Sequence, residues 1–236
     1  MYDIDFKPNY DSHYKMHANK SIDWLRMDTK ELYEKNLKEN YNLLKKNNWI
    51  DKSFTYKFNS HGFRCEEFTT DPTIMFLGCS FTCGIGLPIE NIWPEIVSNK
   101  LNMRCANLGQ GAGSNDTAFR LCHGWIDNIK PKIVVLLNPP GIRLEMIDAC
   151  FMRHLSPSHV NSTYHVFLKD WARDDNNSYF NSLKNTLAIE NLCRARDIKF
   201  IILETNAFIR NDFARDLAHF GVLSNSKFAE YVISRL

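Results

Sequence analysis

The sequence predicts an α/β fold built on a mostly parallel sheet with helices on both faces. Three observations carry that reading. Four short apolar runs, at 73–79 (TIMFLGC), 103–108 (MRCANL), 132–138 (KIVVLLN) and 199–205 (KFIILET), are continuous rather than alternating. Continuous runs mark strands buried on both faces. Segments with apolar residues at helical spacing lie between the runs, the order expected of a doubly covered parallel sheet. Turn clusters, GQGAGSN after the second run and Pro139-Pro140 after the third, end the strands.

The elements follow in order. Residues 1–20 are polar and aromatic without a period and read as an irregular arm. Asp28 with Glu31 resembles a capping box. Leu32 or Tyr33, then Leu37, Tyr41 and Leu44, follow at helical spacing, so 28–47 reads as one amphipathic helix. A connector with short extended pieces (FTYKF, SHGFR) fills 50–72. Trp93, Ile96, Val97 and Leu101 predict a helix over 91–101, with Pro94 suited to its first turn. Ser114 or Asn115 caps a helix to 129 that buries Phe119, Cys122, Trp125, Ile126 and Ile129. Residues 142–152 read as a helix and 153–178 as a polar loop. Residues 178–196 form a helix on Phe180, Leu183, Leu187 and Leu192, and 225–236 form the last on Phe228, Val232 and Leu236. The organisation expected is an arm and helix at 1–58, packed on a main domain at 59–236. The first part is expected to supply no reacting group.

Composition narrows the function classes. Of 236 residues, 44% are apolar and 24% charged, the balance of a globular chain. Lys and Arg number 29 and Asp and Glu 27, too even for a nucleic-acid partner to follow from charge. No apolar run approaches a membrane span, and the first residues, MYDIDFKPNYDSHYK, lack a secretory signal. Seven cysteines, an odd number, do not resemble a disulfide framework and read as reduced core thiols. The expected location is the cytoplasm, or a host cell's cytoplasm if the source is viral. His154, His159 and His165 share a segment rich in Asn, Ser and Asp, which reads as solvated surface rather than a metal site.

Ligands of parallel sheets bind beyond the carboxyl ends of the strands. Ser80 follows the first strand in GCSFTCGIG, where a turn can present its hydroxyl at the sheet edge. A helix-capping serine is the plainer alternative. The glycines form neither a dinucleotide fingerprint nor a phosphate loop, so a nucleotide cofactor is not expected. His219 lies three residues after Asp216 in RDLAHFG. A serine nucleophile needs a base, and the base an orienting acceptor; Asp216 is placed one turn away for that task. A surface ion pair is the alternative.

These pieces resemble the SGNH/GDSL hydrolase superfamily. FLGCSFTCGIG (76–86) resembles its first block, ANLGQGAGSND (106–116) its second, VVLLNPPGIRLE (134–145) its third and ARDLAHFGVLSNSKFAEYV (214–232) its terminal block. NSHGFRCEEF (59–68) resembles a segment that often precedes such domains. The resemblance implies a three-layer α/β/α sandwich of flavodoxin-like build. It implies Ser80 as nucleophile, Asp216 and His219 as its partners, and backbone N–H groups of Ser80 and Ala112 as oxyanion donors. Cys79 stands where the family has aspartate, Ala112 where it has glycine, and Pro140 near the place of an asparagine donor. Asn138 is the candidate to replace that donor. Arg143 and Trp171 are candidates for substrate contact. The family's fifth strand is expected to be short or absent. The activity implied is hydrolysis of a carboxylic ester, with a small ester or an O-acetylated glycan as substrate and no metal or organic cofactor. Acyl transfer through the same residues, or a non-catalytic structural or carbohydrate-binding role, are the alternatives.

Overall fold

The computed structural model describes residues 10–69, 71–148, 151–156 and 164–236. Cys150 and His159 lie outside them. Two short strands, β1 (Ser21–Ile22) and β2 (Tyr56–Lys57), pair antiparallel and flank the helices α1 (Lys30–Glu39) and α2 (Tyr41–Lys46). The single helix expected over 28–47 is therefore two, broken at Asn40. Thr29, not Asp28, caps α1, its hydroxyl accepting from the Leu32 N–H at 3.2 Å. Asp28 is 1% exposed and faces inward.

The main sheet follows. Strand β3 (Thr73–Leu77) leads directly into the short helix α3 (Ser80–Cys83). Helix α4 (Trp93–Lys100) carries Pro94 in its first turn and precedes β4 (Arg104–Asn107). Helix α5 (Asn115–Ile129) opens on a capping box, Ser114 accepting from the Thr117 N–H and Thr117 from that of Ser114. Strand β5 (Ile133–Asn138) forms where the run 132–138 predicts a strand.

The next region departs from expectation. In place of a helix over 142–152 stand the strands β6 (Leu144–Asp148) and β7 (Phe151–Leu155), paired antiparallel. LEMID and FMRHL are five residues each, too short for their pattern to separate helix from strand, and antiparallel pairing with each other makes them strands. The loop expected at 153–178 instead holds the end of β7, helix α6 (His165–Trp171) and the start of α7 (Asp175–Arg194). Asp174 caps α7 through the Asn176 N–H. Strand β8 (Lys199–Glu204) and helix α8 (Val222–Arg235) complete the chain.

The sheet runs β4-β3-β5-β8, all parallel, with Ile74 opposite both Cys105 and Ile133 and Val135 opposite Ile201. Among the described residues it has four strands and ends at β8. Every residue of β3 is buried. On one face Met75, Leu77, Val134 and Leu136 pack on Leu121, Ile126 and Ile189 of α5 and α7. On the other, Ile74, Phe76, Val135 and Leu137 pack on Trp93, Val97, Phe228 and Val232 of α4 and α8. The alternation of β-strand side chains thus builds a separate core on each side of one sheet, giving three layers. No described helix is long and apolar enough to cross a membrane. The six described cysteines are free, five of them buried.

Candidate active site

Chain order in the sheet reverses at β3, whose neighbours β4 and β5 both follow it in sequence. A crevice opens at the carboxyl ends of strands at such a point. Ser80 stands there, first residue of α3, with Cys79 extended before it. Residue Ser80 is 8% exposed, and its Oγ takes no hydrogen-bond partner among the described residues. Helix α3 ends after one turn at Gly84, whose φ is +78°. Its open carbonyls are met by Arg64, which is 2% exposed and donates to the carbonyls of Cys83 (3.0 Å), Gly84 and Leu87. A cation there also suits the negative end of the helix dipole. Arg64 was not anticipated as a site-building residue; the SHGFR segment was its only signal.

Asp216 and His219 face each other within one turn. Asp216 Oδ2 lies 2.5 Å from His219 Nδ1, and Oδ1 accepts the N–H groups of Ala218 (3.0 Å) and His219 (2.9 Å). The carboxylate is fully buried while the imidazole is 10% exposed. Leu217, at φ +55°, provides the left-handed step that brings the two side chains together. The His219 ring meets Phe81, the residue after Ser80, edge-on at 5.6 Å between centroids. His219 Nε2 has no described partner. With Nδ1 held by a carboxylate, Nε2 is the nitrogen left to exchange protons.

The loop after α3 joins the two halves. The Arg215 N–H donates to the Gly86 carbonyl at 3.0 Å, and Gly86 accepts no side chain: a Cβ there would lie 2.8 Å from Ala214 Cβ and 3.2 Å from Asp216 Oδ1. Residues before 58 brace the same loop. Trp49 Nε1 donates to the Phe213 carbonyl (2.7 Å), Asn47 Oδ1 accepts the Phe213 N–H (2.9 Å), and Asn36 Nδ2 reaches the Asp216 carbonyl at 3.5 Å. Arg215 is buried against Asp28 with Nη2–Oδ2 at 2.7 Å, stacked 4.0 Å from the ring centroids of both Trp24 and Phe54. The Tyr56 hydroxyl donates to Asp28 and accepts from the Gly86 N–H.

The second loop, Gly109–Gly113, lies against α3. The Gln110 N–H donates to the Gly78 carbonyl at 3.1 Å, and a Cβ on Gly109 would strike the Cys83 nitrogen at 2.6 Å. Ala112 sits at φ +57°, where an L-residue costs about 1–2 kcal/mol and glycine nothing. Its N–H donates to no other described residue. The loop is gripped by the arm: Gln110 Oε1 accepts from Ser12 Oγ (3.1 Å) and the His13 N–H (2.8 Å).

Three candidates lie elsewhere. Asn138 Nδ2 donates to Ser182 Oγ (3.1 Å) and both Glu204 oxygens (3.1 and 3.2 Å), which corrects the expectation that it replaces the missing oxyanion donor. The physical reason is register: Asn138 pairs with Glu204 across β5 and β8, and the carboxylate captures its amide sideways. Arg143 lies in the turn before β6, its carbonyl accepting from Asn181, and Trp171 ends α6. No described hydrogen bond or ring contact joins either to Ser80, Asp216 or His219. His154 is not a solvated surface residue: its side chain is 4% exposed. Glu145 beside it pairs with Arg120 at 2.6 Å. Burial alone would raise the Glu145 carboxyl, but His154 beside it and the Arg120 hydrogen bonds and charge hold it down to about 2. Among the described residues no group of three or more His, Cys, Asp or Glu is placed to hold a metal ion.

No family model matches the sequence, and no curated protein matches it. Solved structures do. The chain is similar to TesA at 13% identity over 68% of this chain and 95% of that one, with a TM-score of 0.46. It is similar to the psychrotrophic esterase EstA from Pseudoalteromonas at 15% identity over 68% of this chain and 73% of that one, TM-score 0.37. Esterase AlinE4 is similar at 13% identity over 72% and 74%, TM-score 0.36, and with it an SGNH-hydrolase family esterase stands among the solved structures that this chain resembles.

Proposed function

We propose that the protein hydrolyses a carboxylic ester through an acyl-enzyme, with Ser80 as nucleophile, His219 as base and Asp216 as its orienter. The observation that carries the reading is the 2.5 Å Asp216–His219 contact, on a loop docked against the turn that follows Ser80. A hydroxyl is a weak nucleophile at its free pKa, and a neighbouring imidazole removes its proton as it attacks. His219 takes that proton on Nε2 and returns it to the departing alkoxide. Asp216 keeps Nδ1 protonated and stabilises the imidazolium that forms. The Ser80 and Ala112 N–H groups receive the developing oxyanion. Water, deprotonated by His219, then attacks the acyl-Ser80 carbonyl, and the carboxylic acid leaves with the Ser80 hydroxyl restored. The chemistry needs neither metal nor organic cofactor. The substrate class is a small ester, including the O-acetyl ester of a glycan.

A fluorophosphonate probe on the intact protein tests this, with peptide mass mapping and steady-state hydrolysis of p-nitrophenyl acetate. Labelling at Ser80, and loss of turnover in a folded Ser80→Ala variant, is the expected result. A variant that keeps most of the wild-type rate overturns the assignment.

A further inference from the structure

We propose that His154, on the β6–β7 hairpin, is a positioning residue that aims the Ala112 N–H at the oxyanion by holding the Gly111 carbonyl. The inference deepens the ester-hydrolase reading and rests on it. The Gly111 carbonyl and the Ala112 N–H belong to one planar trans peptide and point in opposite directions. Whatever holds the carbonyl therefore fixes where the N–H points. His154 Nδ1 lies 2.8 Å from the Gly111 oxygen. A carbonyl only accepts, so Nδ1 is the donor.

The imidazole is itself held. Its ring stacks on His13 with centroids 4.8 Å apart, and its buried Nε2, which makes no hydrogen bond, faces Glu145 Oε2 at 3.3 Å. Glu145 is fixed in turn by Arg120 Nε (2.6 Å), Arg120 Nη2 (3.0 Å) and Thr117 Oγ1 (2.8 Å). On the other side of Gly111, its own N–H donates to the Tyr14 hydroxyl at 3.0 Å. Both peptides flanking Gly111 are thus tied, one by the hairpin and one by the arm.

The tie answers a need of this loop. Gly109, Gly111 and Gly113 alternate in it, and glycine lets a peptide plane turn over at little cost. Ala112, at φ +57°, also stands in a sparsely populated conformation that its surroundings must enforce. The Ala112 N–H is left without another described partner, as an oxyanion donor must be. Donation to the carbonyl of the same amide further polarises that N–H. His154 acts through the backbone and does not itself meet the reacting atoms.

The test compares wild type, His154→Phe and His154→Asn by hydrolysis of p-nitrophenyl acetate and by fluorophosphonate labelling, with circular dichroism to verify folding. Phenylalanine keeps a ring against His13 but cannot donate. Asparagine places an N–H donor at the position of Nδ1. The expected result is a fall in kcat of about 10²-fold for His154→Phe, the scale of a misplaced catalytic group, with KM little changed. His154→Asn is expected to stay within about tenfold of wild type. An unchanged kcat in folded His154→Phe, a loss confined to KM, or a folded His154→Asn slowed by about 10²-fold overturns the proposal. Should His154→Phe not fold, the His154→Asn result decides alone. A wild type that is neither labelled at Ser80 nor active overturns the ester-hydrolase reading instead, so the two failures are told apart.

Discussion

Asp28→Ala removes the counter-ion of a guanidinium that has nowhere else to go. Arg215 is 2% exposed and Asp28 1%. Arg215 donates from Nε to both Asp28 oxygens at 3.1 Å and from Nη2 at 2.7 Å, between the rings of Trp24 and Phe54. Without the carboxylate the cation stays buried, and the Tyr56 hydroxyl loses its acceptor. Breaking one side of a buried pair costs about 3–5 kcal/mol. Against a total of roughly 5–15 kcal/mol for a folded domain, that is a large share. The damage reaches the chemistry, because Arg215 precedes Asp216 and its N–H holds Gly86. Urea unfolding followed by tryptophan fluorescence measures the loss, and ester hydrolysis below the transition measures the effect on the site. Removing both charges in Asp28→Leu/Arg215→Met is expected to recover much of the stability, since apolar groups of similar volume replace buried pairs at little cost. A loss below about 1 kcal/mol for Asp28→Ala, or a double variant as unstable as the single one, refutes the reasoning.

Two further outcomes are expected. Acid weakens the fold in two windows. Burial, then the charges of His154 and Arg26, hold His13 down to about 4, so the unfolded chain takes a proton near 6.5 that the folded one refuses, and stability falls as pH drops from 6.5 toward 4. Glu145, held at about 2, contributes stability that is present above its ordinary 4.5 and is lost as pH falls toward 2. At 1.36 kcal/mol per pH unit each window is worth about 3 kcal/mol; unfolding midpoints across pH should flatten in the first window for His13→Gln, and an unchanged slope there contradicts it. Gly86→Ala, at φ +81° with a Cβ pressed toward Ala214 and Asp216 Oδ1, should lower ester turnover while leaving the sheet folded, and a kcat equal to wild type in a folded variant counts against Gly86 setting the Asp216 position.

The strands and most helices were legible because their signal is local. Ile133–Leu137 is apolar throughout, and Ser114 precedes a helix with matching periodicity, so burial and capping leave their mark on neighbouring residues. The hairpin at Leu144–Leu155 was misread because short apolar runs fit helix and strand alike, and pairing across a turn decides between them. Asp28 was misread for a related cause. A carboxylate before a helix looks like a cap, and only a partner 187 residues away reveals it as half of a buried ion pair.

The local pattern of apolar runs and turns specified an α/β sheet, and DLAH placed a carboxylate and an imidazole one turn apart. Both follow from forces acting within a few residues. Tertiary structure decided which polar groups are left to react and which are spent. It turned the Asn138 amide sideways to Glu204, buried His154 against the Gly111 carbonyl, and set Arg64 over the end of α3. Such choices depend on hydrogen-bond partners far along the chain, and a buried donor must find an acceptor wherever the fold brings one. The sequence spacing of these residues carries no record of that pairing.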